Sequence, residues 1–213
     1  MGKTQTLEQI GKTRIIPVIR TKSRDEARGV IEAVLAGGIN VLEITMTTPN
    51  AIELIGECVE KYSDEVIVGA GTVIDLKTAA QCFDAGVKFI VSPMFDEETV
   101  KFCNQNQIII MPGALTPTEI FNASNKGADV VKVFPVSSMG GVSHLKAIKS
   151  VYPNIEIVPT GGVNLENFDE YLNAGAFAVG IGSDLTDGNF QSITRKCENL
   201  VSKLHATSNF PGS

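Results

Sequence analysis

The chain has 213 residues, 43% hydrophobic and 20% charged, with a formal net charge of -6 and a pI near 5.0. That length supplies one sizeable core and falls short of two ordinary domains, and the mixture is globular rather than disordered. The acidic balance, with no basic stripe, argues against a nucleic-acid partner, and no apolar run reaches the roughly 18 residues that span a membrane.

A short helix is expected at about residues 6–13. Short, apolar, β-rich runs then recur, eight in all: "RIIPVI", "VLEIT", "VIVGAGT", "FIVSP", "IIIMPG", "VVKVFP", "EIVPTGG" and "AVGIGS". Their centres lie roughly 19 to 27 residues apart, the period of a strand–loop–helix unit. Between the first two runs, "SRDEARGVIEAVLAGG" opens on a Ser N-cap with early acids and stops on glycines. "DLKTAAQCFDAG", "DEETVKFCNQNQ" and "NLENFDEYLNAG" follow the same grammar in later gaps. "VSHLKAIKSVY" is a further helix, and the tail "ATSNFPGS" (206–213) is expected to fray. Near-continuous apolar strands imply burial on both faces, hence a parallel sheet. Eight alternating units with no linker predict one (β/α)8 barrel over 1–213, a doubly wound open sheet being the alternative.

Barrel chemistry sits at the C-terminal ends of strands, and here those ends are polar. Val130, Lys132 and Phe134 share one face of their strand, as do Val41, Glu43 and Thr45. If both faces point inward, an amine and a carboxylate sit in an apolar interior. One reading is a buried ion pair without function. The other is a nucleophile, because desolvation favours a neutral lysine amine, which attacks carbonyls to form a Schiff base. An ionised carboxylate nearby would oppose this, so the two groups would titrate as a coupled pair. The glutamate would serve as the proton carrier that imine chemistry needs.

"TGG" at 160–162 and "GIGS" at 180–183 follow the last two strands, where barrels often hold phosphate on backbone N–H groups. They could equally serve tight turns. "GAGTVI" and "GIGSDL" lack the third glycine of a dinucleotide fingerprint, and no Walker A sequence occurs. His144 and His205 have no partner at metal-ligand spacing, so neither a metal nor a cofactor is expected. The four cysteines, Cys58, Cys82, Cys103 and Cys197, fall in helical stretches without a CxxC pair and read as reduced thiols. With no signal-peptide core in "MGKTQTLEQIGKTR", a cytoplasmic address follows.

Taken in order, "GGINVLEITMTTPNA", "VGAGTV", "FIVSP", "MPGALTPTE", "VVKVFP", "IVPTGGVN" and "GIGS" resemble the 2-keto-3-deoxy-6-phosphogluconate (KDPG) and 4-hydroxy-2-oxoglutarate (KHG) aldolases over nearly the whole chain. The resemblance implies a homotrimeric, metal-free class I aldolase acting on a phosphorylated keto acid. By it, Lys132 matches the Schiff-base lysine and Glu43 the acid/base residue. Thr72 matches a holder of the pyruvate carboxylate, Pro93 and Phe134 pocket walls, and Thr160 a neighbour of the imine. Gly161, Gly162, Gly182 and Ser183 match the phosphate cup. One departure stands out: many members carry arginine where this chain has Thr47, so a bidentate carboxylate link is lost. Arg20, ending "PVIR", is the candidate replacement charge. A galactonate-derived epimer or unphosphorylated 4-hydroxy-2-oxoglutarate are alternative substrates. A phosphosugar isomerase without imine chemistry, or a silent sugar-phosphate binder, are alternative functions.

Overall fold

The computed structural model describes residues 2–208. In chain order the elements are α1 (Lys3–Thr13), β1 (Ile15–Ile19), α2 (Arg24–Ala36), β2 (Val41–Thr45), α3 (Ala51–Tyr62), β3 (Ile67–Gly71) and α4 (Leu76–Asp84). Then come β4 (Phe89–Val91), α5 (Glu97–Gln105), β5 (Ile109–Met111), β6 (Gly113–Ala114), α6 (Pro117–Asn125) and β7 (Val131–Val133). The chain continues through α7 (Val142–Val151), β8 (Ile157–Pro159), α8 (Phe168–Asn173), β9 (Val179–Ile181), α9 (Ser183–Thr186) and α10 (Phe190–Ser208). The first helix opens ahead of the expected residue 6. The tail read as fraying from 206 is helical through Ser208, and its remainder lies outside the described residues.

Every named strand pair is parallel, in the orders β5-β4-β3-β2-β1-β9 and β6-β7-β8. All of these strands are buried along their whole length, as parallel strands covered on both faces must be. The run "IIIMPG", expected as one strand, is two. Pro112 carries no N–H for the ladder, so β5 stops before it and β6 resumes after it. The Pro112 carbonyl still accepts the Lys132 N–H at 3.0 Å, tying this broken strand to β7.

The helix starts follow from their caps. Ser23, Asp75, Asp96 and Thr116 each accept a backbone N–H from the first turn of α2, α4, α5 and α6. The apolar stripes of these helices pack on the outer face of the sheet in one large cluster. A second, smaller cluster fills the inner face: Ile16, Val41, Ile67, Phe89, Ile109 and Val130, closed from below by Ile10 of α1. Along the strands from this apolar floor, toward their C-terminal ends, the inner face turns polar.

Candidate active site

Val41 and Val130 belong to the apolar floor. Two residues further along, the pleat brings Glu43 of β2 and Lys132 of β7 back to the same face. Both are buried, at 3% and 5% exposure. In the ladder Glu43 pairs with Gly69 of β3 and Lys132 with Gly113 of β6. A Cβ on Gly71, at the end of β3, would run into Glu43 Oε1. That oxygen is buried and has no hydrogen-bond partner among the described residues.

Burial dominates the electrostatics of Glu43 and pushes its carboxyl above the usual range. The charges of Lys132 and then Arg20 pull it back down. The Lys132 amine lies 4.9 Å from the centroid of the Phe134 ring, a cation–π distance. Phe134 is 38% exposed and forms a wall at the mouth. The peptide bond it shares with Pro135 is cis.

Phe134 opens onto a cavity of about 550 Å³ also lined by Arg20, Thr160, Gly161, Gly162, Gly182 and Ser183. Seven of the residues singled out from sequence are thus brought together. Gly161 and Gly162 have φ of +84° and +89°, a backbone that side chains rarely adopt. A Cβ on Gly162 would also press on the Ser137 side chain. Pro93 stands on the other side of Phe134, in a separate hollow of about 390 Å³. A groove of about 620 Å³ lies beyond Arg20, lined by Lys22, Glu26, Asp187 and Phe190. It is larger, but neither Phe134 nor the glycine turns reach it.

Thr47 does not stand alone. Its hydroxyl is 2.8 Å from that of Thr45, which donates to the Ile19 carbonyl at 3.1 Å. Thr48 accepts the Thr21 N–H at 3.3 Å. The "TMTT" loop therefore grips the end of β1 on both sides of Arg20. The Arg20 guanidinium in turn reaches the Thr72 hydroxyl, 3.5 Å away, and Thr72 holds a left-handed φ of 57°. Sequence reading gave Thr45 a face but no role, and passed over Thr48 and over Asn164 and Asp184, the last two of which line the cavity. The one available signal was their place in the same turns, "TMTT", "TGGVN" and "GIGSD".

Among the described residues no group of three or more His, Cys, Asp or Glu side chains could hold a metal ion. No helix there is long and apolar enough to cross a membrane.

The family model "KDPG and KHG aldolase" matches residues 7–197. A 2-dehydro-3-deoxy-phosphogluconate aldolase of Treponema pallidum is 34% identical, over 88% of this chain and 91% of its own. A 2-dehydro-3-deoxy-6-phosphogalactonate aldolase of Escherichia coli is 32% identical, over 92% and 95%. Among solved structures, the KDPG aldolase of Legionella pneumophila, with pyruvate captured as a covalent carbinolamine intermediate, superposes with a TM-score of 0.84 at 34% identity, covering 92% of this chain and 98% of that one. The chain belongs to the KDPG and KHG aldolase family.

Proposed function

We propose that the chain is a class I aldolase that cleaves 2-keto-3-deoxy-6-phosphogluconate to pyruvate and glyceraldehyde 3-phosphate. The observation that carries this reading is the buried Lys132 with a buried, partner-free Glu43 oxygen on the same inner face. Two glycine turns complete the adjoining cavity. The carbinolamine captured in the Legionella pneumophila relative supports the same chemistry.

The neutral Lys132 amine adds to the C2 ketone, and the carbinolamine loses water to give a protonated imine. Glu43 takes the C4 hydroxyl proton, the C3–C4 bond breaks, and its electron pair moves into the imine as an enamine. Glyceraldehyde 3-phosphate leaves. Protonation at C3 and hydrolysis then release pyruvate and regenerate the amine. A carboxyl raised by burial suits a group that must both accept and return protons. Thr72 and Arg20 hold the keto-acid carboxylate, Pro93 and Phe134 wall the pocket, with Thr47 at its edge, and Thr160 stands beside the imine. Gly161, Gly162, Gly182 and Ser183 receive the phosphate, whose binding holds the C3–C4 bond in line.

The reading includes a closed (β/α)8 barrel. The Thr160–Gly180 bridge, the Phe177 N–H to Ile157 carbonyl bond at 2.9 Å, and the Pro112–Lys132 bond support it. A single domain, a homotrimer and a cytoplasmic address belong to it as well. The galactonate epimer is the substrate alternative, favoured by the name of the Escherichia coli relative.

The test is to incubate the chain with pyruvate and sodium borohydride and map the adduct by peptide mass spectrometry. A reduced pyruvyl group on Lys132, and loss of nearly all turnover in Lys132→Ala, are expected. A folded chain left unmodified would reject the imine and favour an isomerase.

A further inference from the structure

The phosphate turns are held by side chains that do not belong to them. After β8, Asn167 donates from Nδ2 to the Gly162 carbonyl at 3.0 Å. Its Oδ1 accepts the Asn164 N–H at 2.8 Å, which orients the amide. Asn164 Oδ1 in turn accepts the Glu166 and Asn167 N–H groups at 2.9 and 3.0 Å. In a planar trans peptide the carbonyl and the following N–H point opposite ways. The grip on Gly162 therefore turns the Val163 N–H away from Asn167. Gly162 and Val163 both line the cavity.

The next turn is latched to this one. Asp184 Oδ2 accepts the Leu165 N–H at 2.8 Å, joining the turn after β9 to the turn after β8. Lys196 of α10 holds the Asp184 and Asp187 carbonyls at 2.7 and 2.9 Å. On the far side, the Val136 and Ser137 N–H groups bond the Thr160 and Gly161 carbonyls at 3.0 and 3.1 Å. Three strand ends are thereby laced together. Gly162 cannot relax into this geometry by itself, since its left-handed φ of +89° is one of several open to glycine.

Among the described residues lining the cavity, Asp184 is the one acid and Arg20 the one cation. A carboxylate facing a phosphate dianion is unfavourable unless it is used. Its bond to the Leu165 N–H is that use.

We infer that Asn167 and Asp184 are positioning residues that hold the β8 and β9 turns in their phosphate-receiving shape, and so set the preference for phosphorylated over unphosphorylated keto acids. This rests on the aldolase reading above. Neither residue touches the reacting atoms, so each acts on KM for the phosphorylated substrate and not on imine formation.

The experiment compares Asn167→Leu, Asp184→Ala and Asp184→Asn with the wild-type chain. KM and kcat for the phosphorylated keto acid are measured, along with inhibition by inorganic phosphate and the rate of pyruvate trapping on Lys132 by borohydride. Asn167→Leu and Asp184→Ala are expected to raise KM about tenfold and weaken phosphate inhibition in parallel, the effect of mis-set hydrogen bonds to a charged group. Their pyruvate trapping, which needs no phosphate, is expected to stay at the wild-type level. Asp184→Asn keeps an acceptor for Leu165 and loses the charge facing the phosphate, so its KM is expected to stay at or below the wild-type value. Unchanged KM in both deletion variants, or an equal loss of pyruvate trapping, overturns the proposal while leaving the aldolase reading in place. Failure of Asp184→Asn to differ from Asp184→Ala overturns the latch. A wild-type chain that traps no pyruvate sinks the aldolase reading and this proposal with it.

Discussion

Glu43, the proposed proton carrier, makes stability depend on pH. Burial raises its carboxyl, so folding favours the protonated acid more than the unfolded chain does. For a raised group, the stabilising contribution is fully present below the unfolded value and is lost as pH climbs through the folded one. Glu43→Gln removes that loss and fits the same space. Its melting temperature is expected to exceed that of the wild type at neutral pH and to converge with it toward the ordinary carboxylate range. Thermal melts across that window check it, and a variant less stable at neutral pH would contradict it. The same substitution is expected to remove most turnover, since an amide carries no proton. Gly71 works from the other side of the carboxylate. In Gly71→Ala the added Cβ meets Oε1, so overpacking of about 1–3 kcal/mol and a displaced Glu43 are expected. Denaturant unfolding together with turnover measures both.

At the scale of elements, the loops after β1 and β2 divide one task. Where many family members are expected to carry arginine, this chain has Thr47, bonded to Thr45 and through it to the end of β1. In the proposed site the charge comes instead from the end of β1, as Arg20, whose guanidinium reaches Thr72. Arg20→Ala is therefore expected to raise KM about tenfold, the scale of a lost charge-assisted hydrogen bond. Adding Thr47→Arg to that variant is expected to recover much of the loss. Steady-state kinetics of the single and double variants decide it, and a normal KM in Arg20→Ala would remove Arg20 from the site. Caps and strands were legible without any structure, because "SRDE", "DLKT" and "DEET" place an acceptor just before a helical stripe. The break in "IIIMPG" was not. A proline in an apolar run could end a strand or interrupt one, and only its neighbours on either side settle which.

Across the whole molecule, packing silences what does not serve the site. Cys58, Cys82, Cys103 and Cys197 are all buried. Burial pushes the Cys58 thiol up to about 11 and the other three to about 12. The native chain is expected to resist alkylation at neutral pH and to react only when unfolded. Mass spectrometry after brief iodoacetamide treatment checks this, and rapid native labelling of any of the four would contradict it.

The alternation of apolar runs and capped helices is local. It is enough to determine a parallel α/β chain, and the pleat is enough to put Lys132 beside Val130 and Glu43 beside Val41 on their faces. The pairing of those faces is not local: four strands, β3 to β6, lie between β2 and β7 in sequence, and their meeting depends on the strand order. Nor could residue spacing reveal that Asp184 holds Leu165, that Asn167 holds Gly162, or that Thr45 secures the strand bearing Arg20. The first and the last join turns far apart in sequence that packing brings together, and the second depends on the left-handed φ of Gly162, which glycine alone does not dictate.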